Sequence, residues 1–162
     1  MVLDMNIECM KKAGKRGLRA VMADASRLPF GDGCFDAVIC SHLIEHVLSG
    51  ARLVGEIYRL LRDGGLCFLV TPNRHRWTAL ITRFVPMGDR TARYPMNPDH
   101  IQEYTANELT DLLQSMPFRK VEVSPLRLHI PGISHNGRSI GVTTPIWPLS
   151  LFSNLLYARV QK

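Results

Sequence analysis

Val21–Val47 reads VMADASRLPFGDGCFDAVICSHLIEHV, and this stretch decides the fold. Val21 and Met22 are apolar and extended, and Asp24-Ala25 ends their run. Leu28-Pro29-Phe30 and Gly31-Asp32-Gly33 form a turn-rich connector, because proline pre-sets φ and glycine admits backbone that other residues avoid. Phe35–Cys40 then predicts a short strand buried on both faces, since Ala37-Val38-Ile39-Cys40 offers no polar alternate to leave one face wet. A helix opens after Ser41-His42. Strand, acidic turn, loop, strand and helix in this order predict an α/β fold.

Working outward, Val2-Leu3-Asp4 reads as a strand. Ile7–Gly17 reads as a short amphipathic helix with Ile7, Met10 and Ala13 on its apolar side and a glycine end. Downstream, 48–62 predicts a helix whose buried stripe is Ala51, Val54, Ile57 and Leu61. Asp63-Gly64-Gly65 stops it, and Leu66–Val70 follows as a buried strand. Thr105 and Glu108 have capping-box spacing ahead of Leu109, Leu112, Leu113 and Met116. Pro117 ends that helix, Lys120–Val123 alternates as a strand, and Leu155–Lys162 closes the chain as another. The proline-studded 126–149 predicts a long loop or a second lid element.

Three phrases carry a family resemblance. "ADASRLPFGDGCFDAV", "RLLRDGGLCFLVTPN" and "HIQEYTANELTDLL" together resemble the class I S-adenosylmethionine (SAM) dependent methyltransferases. The second has Asp63 where the family has proline, a small change because the turn depends more on its glycines. The resemblance implies a Rossmann-like sheet with helices on both faces and an antiparallel C-terminal edge, with SAM as cofactor. It places Asp4, with Met5 beside it, at the ribose of SAM, and Asp24 and Ala25 at the adenine. A carboxylate suits the first role because it accepts both hydroxyls of a vicinal diol while ionised. Each aspartate also has a plainer reading, Asp4 as a turn or helix-cap residue and Asp24 as an Asx turn. The family's glycine-rich loop precedes its ribose acid by roughly 20 residues, whereas three residues precede Asp4. The chain is therefore expected to be one partial methyltransferase domain, 1–162, without the first strand and helix.

Ligands of open α/β sheets bind at the carboxyl ends of strands, beside the switch in strand order. That puts Ser41, His42 and His46 at the methyl-transfer pocket, with Ser41 on the cofactor side. His100, just before the helix that Thr105 and Glu108 cap, is a further pocket position, and His42, His46 and His100 are the candidate bases. His42 and His46, four apart, would share a helix face. Their spacing also suits a metal, but no third ligand is visible in the sequence and no metal is expected. A structural role for His46 stays open. Segments 74–100 and 126–149 are expected on the substrate side. In the first, Arg74, Arg76, Arg83, Arg90 and Arg93 interleave with Trp77, Phe84 and Tyr94. They would hold an anionic group or form a solvated face.

With 46% hydrophobic and 21% charged residues the 162-residue chain has a globular composition, not a disordered one. The net charge of +6 permits an anionic partner without demanding one. The strand that precedes Ser41-His42-Leu43-Ile44 is not followed by an N/D-P-P-(Y/F) phrase, which argues against amino methylation of DNA bases. A small-molecule acceptor is expected, with Trp147 and Phe152 leaving membrane-surface contact open. No CxxC pair occurs, so Cys9, Cys34, Cys40 and Cys67 read as buried free thiols. The start lacks a basic, apolar leader, which predicts a cytoplasmic protein. The alternative to an enzyme is a partner-dependent, methyltransferase-like fragment that does not bind SAM alone.

Overall fold

The structure, a computed structural model, describes residues 1–75, 99–135, 138–142 and 155–162, the stretch 126–142 as backbone only. It divides into two sheets. In the first, β1 (Val2–Leu3) and β2 (Ala20–Val21) flank α1 (Ile7–Lys15) and pair in parallel, Val2 with Ala20 and Leu3 with Val21. Asn6 starts α1 by accepting the Glu8 backbone N–H at 2.9 Å.

The second sheet holds β3 (Phe35–Ser41), β4 (Leu61–Pro72), β5 (Lys120–His135), β6 (Arg138–Val142) and β7 (Leu155–Gln161) in the order β3-β4-β7-β5-β6. β3 and β4 are parallel, while β7 pairs antiparallel with both β4 and β5. The chain's last strand therefore lies inside the antiparallel flank, and β6 forms the outer edge. Against this sheet pack α2 (Gly50–Leu60) and α3 (Ala106–Gln114). Leu53, Val54 and Ile57 of α2, Leu61, Cys67 and Leu69 of β4, Leu109 and Leu113 of α3, and Leu156, Ala158 and Val160 of β7 make the buried core. At roughly 25 cal/mol per Å² of apolar surface removed from water, such a cluster is the main source of stability.

The ends of these elements follow from local chemistry. Thr105 and Glu108 form the expected capping box, each side chain accepting the other's backbone N–H. Asp63-Gly64-Gly65, expected as the turn that stops the helix, lie within β4 where its register against β3 shifts. Gly64 has φ +81° and its N–H donates to the Lys162 carbonyl at 2.9 Å. A side chain at Gly65 would put its Cβ 2.9 Å from the Arg62 carbonyl oxygen, so the position excludes one.

Several sequence expectations change. α2 buries Leu53, Val54, Ile57 and Leu60, while Ala51 in its first turn is exposed; Leu61, expected on the helix, is buried as the first residue of β4. β3 is not covered on both faces: Ala37, Ile39 and Ser41, which share one face, are exposed, Ile39 to 78%, while Cys40 on the other face is buried. Of the four thiols only Cys40 and Cys67 are buried, while Cys9 and Cys34 are exposed. Within 126–149, expected as a long loop or a second lid element, β5 runs on to His135 and pairs antiparallel with β6. Those residues are strand and not loop, and 143–149 lie outside the described residues. The basic stretch beyond His75, Trp147 and Phe152 lie outside the described residues. Among the described residues no helix is long and apolar enough to cross a membrane.

Candidate functional site

Parallel pairing of β1 and β2 brings their carboxyl ends side by side, and Asp4 and Asp24 follow those ends. Asp4 is half-buried and accepts the Asn6 backbone N–H at 2.8 Å. The Cys9 thiol hydrogen-bonds to the same carboxylate, which pushes its pKa up. Asp24 is exposed, and its Oδ1 accepts both the backbone N–H and the hydroxyl of Ser26 at 2.8 Å. Those bonds, the backbone one foremost, hold its pKa below the ordinary 3.8. The Asx turn is thus real, yet among the described residues nothing donates to Oδ2 of Asp24. Ala25 is buried, Met5 is exposed, and Ser41 is exposed at the end of β3.

Between β1 and β3 lies a cavity of about 410 Å³ lined by Leu3, Ala25, Leu28, Phe30, Val38 and Leu43 among others. Its lining side chains are apolar, which suits chain packing and not a charged ligand. In the family's sheet the first strand runs between the counterparts of these two, and among the described residues no strand occupies that position.

Past β3 the chain makes a sharp turn at His42, whose φ of +49° is unique for a non-glycine among the described residues. Such backbone is disfavoured for a bulky side chain and persists where neighbours hold it. Here the His42 N–H donates to the Val70 carbonyl at 2.9 Å, and Nδ1 lies 3.1 Å from Glu45 Oε1. A 3-10 turn, Ile44–His46, follows, so His42 and His46 do not share an α-helical face as expected. They are instead gathered around Glu45, which is fully buried and accepts the Thr71 hydroxyl at 3.0 Å.

His100 joins them from a distant part of the chain. The Glu45 carbonyl accepts the backbone N–H groups of Ile101 at 2.8 Å and Gln102 at 3.2 Å. His46 Nδ1 meets the Asp99 carbonyl at 2.9 Å, and the His46 and His100 rings lie 4.9 Å apart, edge to face. His100 Nδ1 is 2.7 Å from Oε1 of buried Glu103. All three candidate histidines therefore converge at the carboxyl ends of β3 and β4. Sequence reading missed the two acids that organise them. Glu45 within the apolar run Leu43-Ile44, and Glu103 three residues after His100, were the available signals.

A family profile described as "Methyltransferase domain" matches residues 2–69. The chain is 34% identical over 148 residues to a probable S-adenosylmethionine-dependent methyltransferase of Mycobacterium tuberculosis, covering 85% of this chain and 50% of that protein. It is 26% identical over 139 residues to the ubiquinone/menaquinone biosynthesis C-methyltransferase of Desulfotalea psychrophila, covering 78% of this chain and 56% of that protein. Residues 2–69 thus match a methyltransferase domain, and most of the chain is similar to SAM-dependent methyltransferases. The chain spans about half the length of these relatives. The methyltransferase fold itself is matched in a crystal structure from Thermotoga maritima described as a possible histamine N-methyltransferase. That match has a TM-score of 0.74 at 19% identity over 99% of this chain and 72% of the other. The family's cofactor is SAM.

Proposed function

We propose that this chain takes part in SAM-dependent methyl transfer to a small-molecule acceptor. The observation that carries the reading is the placement of Asp4 and Asp24 on the tips of two paired parallel strands. Acceptors at these two points fit the nucleoside half of SAM, whose ribose hydroxyls and adenine amino group are donors. Asp4 would take the diol, with Met5 alongside, Asp24 Oδ2 the amino group, and Ala25 and Ser41 the flanks. When bound, SAM supplies an activated methyl group, so the protein's task is alignment in a dry pocket.

Among the three candidate bases, His42 is the best placed. Its ring is half exposed, and Nδ1 is anchored on buried Glu45, which leaves Nε2 to take a proton from an acceptor hydroxyl or amine. His46 and His100 are each tied through Nδ1 to Asp99 and Glu103. The relative acting in quinone biosynthesis makes phenols and quinols the first acceptors to assay.

Calorimetry with SAM on the purified chain tests the reading. Micromolar binding that weakens at least about tenfold in Asp4→Asn supports it, since a hydrogen bond to a charged acceptor contributes about 1.5–3 kcal/mol. No binding at millimolar SAM would favour the partner-dependent fragment. Binding unchanged in Asp4→Asn would remove the ribose role.

A further inference from the structure

We propose that Glu45, His46 and His100 form a binding site for a divalent first-row transition ion such as zinc. One ligand atom from each of the three lies within 4.8 Å of the other two. The ring nitrogens are already sorted for the purpose. A carbonyl oxygen only accepts, so His46 Nδ1 carries its proton toward Asp99, and the lone pair of the neutral ring sits on Nε2. His100 is oriented the same way by Glu103, a buried carboxylate behind the imidazole. Carboxylate or carbonyl behind a histidine is the usual outer support of a metal ligand, fixing the tautomer and raising basicity.

Glu45 supplies the third ligand and the charge. Its carboxylate is fully buried, and no lysine or arginine among the described residues pairs with it. A buried carboxylate is costly unless an opposite charge or strong donors compensate it. His42 and Thr71 each bond one of its oxygens, which aims the group and still leaves lone pairs on both. A 2+ ion would be balanced by Glu45 directly and by Glu103 through His100. Two imidazoles with one carboxylate suit zinc, cobalt or manganese better than magnesium or calcium, which favour oxygen alone. Bonds of about 2.1 Å in tetrahedral array put ligand atoms ~3.4 Å apart, so the three groups would draw together on the ion. His46 is exposed, which gives a way in, and three protein ligands leave coordination open to water or an oxygen donor.

Cobalt(II) titrated into the full chain tests this, with Cys9→Ser and Cys34→Ser present to remove the exposed thiols. Visible absorption and calorimetry are expected to show one ion per chain, displaced by zinc and not by magnesium. Glu45→Gln, His46→Gln and His100→Gln should each weaken binding at least about 100-fold. If burial of Glu45 makes its variant misfold, the exposed His46 ring provides a variant that spares the core. No binding tighter than millimolar, or binding unchanged in His46→Gln and His100→Gln, would overturn the proposal. The readout needs neither SAM nor an acceptor, so it stands or falls apart from the methyl-transfer reading.

Discussion

The segment from Met1 to Val21 and the five-stranded sheet differ sharply in how they are held. In the first, α1 buries only Ala13, and Met1, Met5, Ile7 and Leu18 stay exposed. Its sheet is two residues long on each strand. In the second, helices and strands close over one another, and Leu53, Val54, Leu69, Leu109 and Leu156 are almost wholly buried. The chemistry divides along the same line. Asp4, the acid proposed for the ribose, stands on the lightly held segment, while His42, Glu45, His46 and His100 stand on the packed one. The histidine cluster is therefore held within the packed region, and the Asp4 end faces it across the cavity between β1 and β3.

Thiol chemistry gives the largest expected contrast. Burial pushes Cys40 and Cys67 up to about 12, whereas Cys9 and Cys34 are exposed. Because the thiolate is the reactive form, this alone lowers reactivity at pH 8 by about three orders of magnitude relative to a thiol near 9. Native alkylation followed by mass spectrometry should modify Cys34 and then Cys9, whose pKa is raised by its bond to Asp4. Cys40 and Cys67 should react only on unfolding. Labelling of Cys40 at the rate of Cys34 would mean that the β3 edge opens and that the packed region ends sooner than drawn.

A smaller contrast lies in side-chain deletion. Leu69 is 1% exposed, so Leu69→Ala should cost about 3 kcal/mol from lost transfer energy and a residual cavity. Ile7 is 57% exposed, so Ile7→Ala should stay within about 0.5 kcal/mol. Urea unfolding of both variants measures the difference. A cost above about 1 kcal/mol at Ile7 would show that the α1 face is covered in solution.

What could be read from the sequence follows the same boundary between local and distant causes. The capping box at Thr105 and Glu108, the glycines at 64–65 and the alternation that opens β5 at Lys120–Val123 are set by near neighbours and were legible. β3 was misread as doubly covered, because an apolar run states what a strand could bury and not whether a neighbour arrives. At the site, the acids at strand ends and three histidines were visible. The gathering of His42, His46 and His100 around Glu45 was not, because it depends on the Glu45 carbonyl capturing Ile101 and Gln102. Such a contact leaves no periodic trace in the chain.

The smallest expected effect concerns the connector between the two regions. Arg59 of α2 donates to the Phe30 carbonyl at 2.7 Å, to Asp32 Oδ1 at 2.7 Å and to Glu56 Oε2 at 2.9 Å, while Glu56 also accepts the Leu28 N–H at 2.9 Å. This clamp fixes the 28–32 turn that leads from β2 to β3. The Arg59 side-chain bonds foremost, with the Leu28 bond, hold the Glu56 carboxyl below its ordinary 4.5. A carboxylate lowered in the folded state binds fewer protons there than in the unfolded chain, so stability rises with pH between the two values. The contribution is complete above about pH 4.5 and is lost as pH falls through the folded value. Glu56→Gln should therefore cost about 1 kcal/mol at pH 7, where the charge-assisted bonds are gone, discounted for partial exposure. The gap from the parent should narrow as pH falls below 4.5 through the folded value, and urea midpoints at several pH values would show it. A gap that does not narrow as pH falls would mean that Glu56 acts through shape and not charge, and the connector would then belong to the packed region and not serve as the joint between the two.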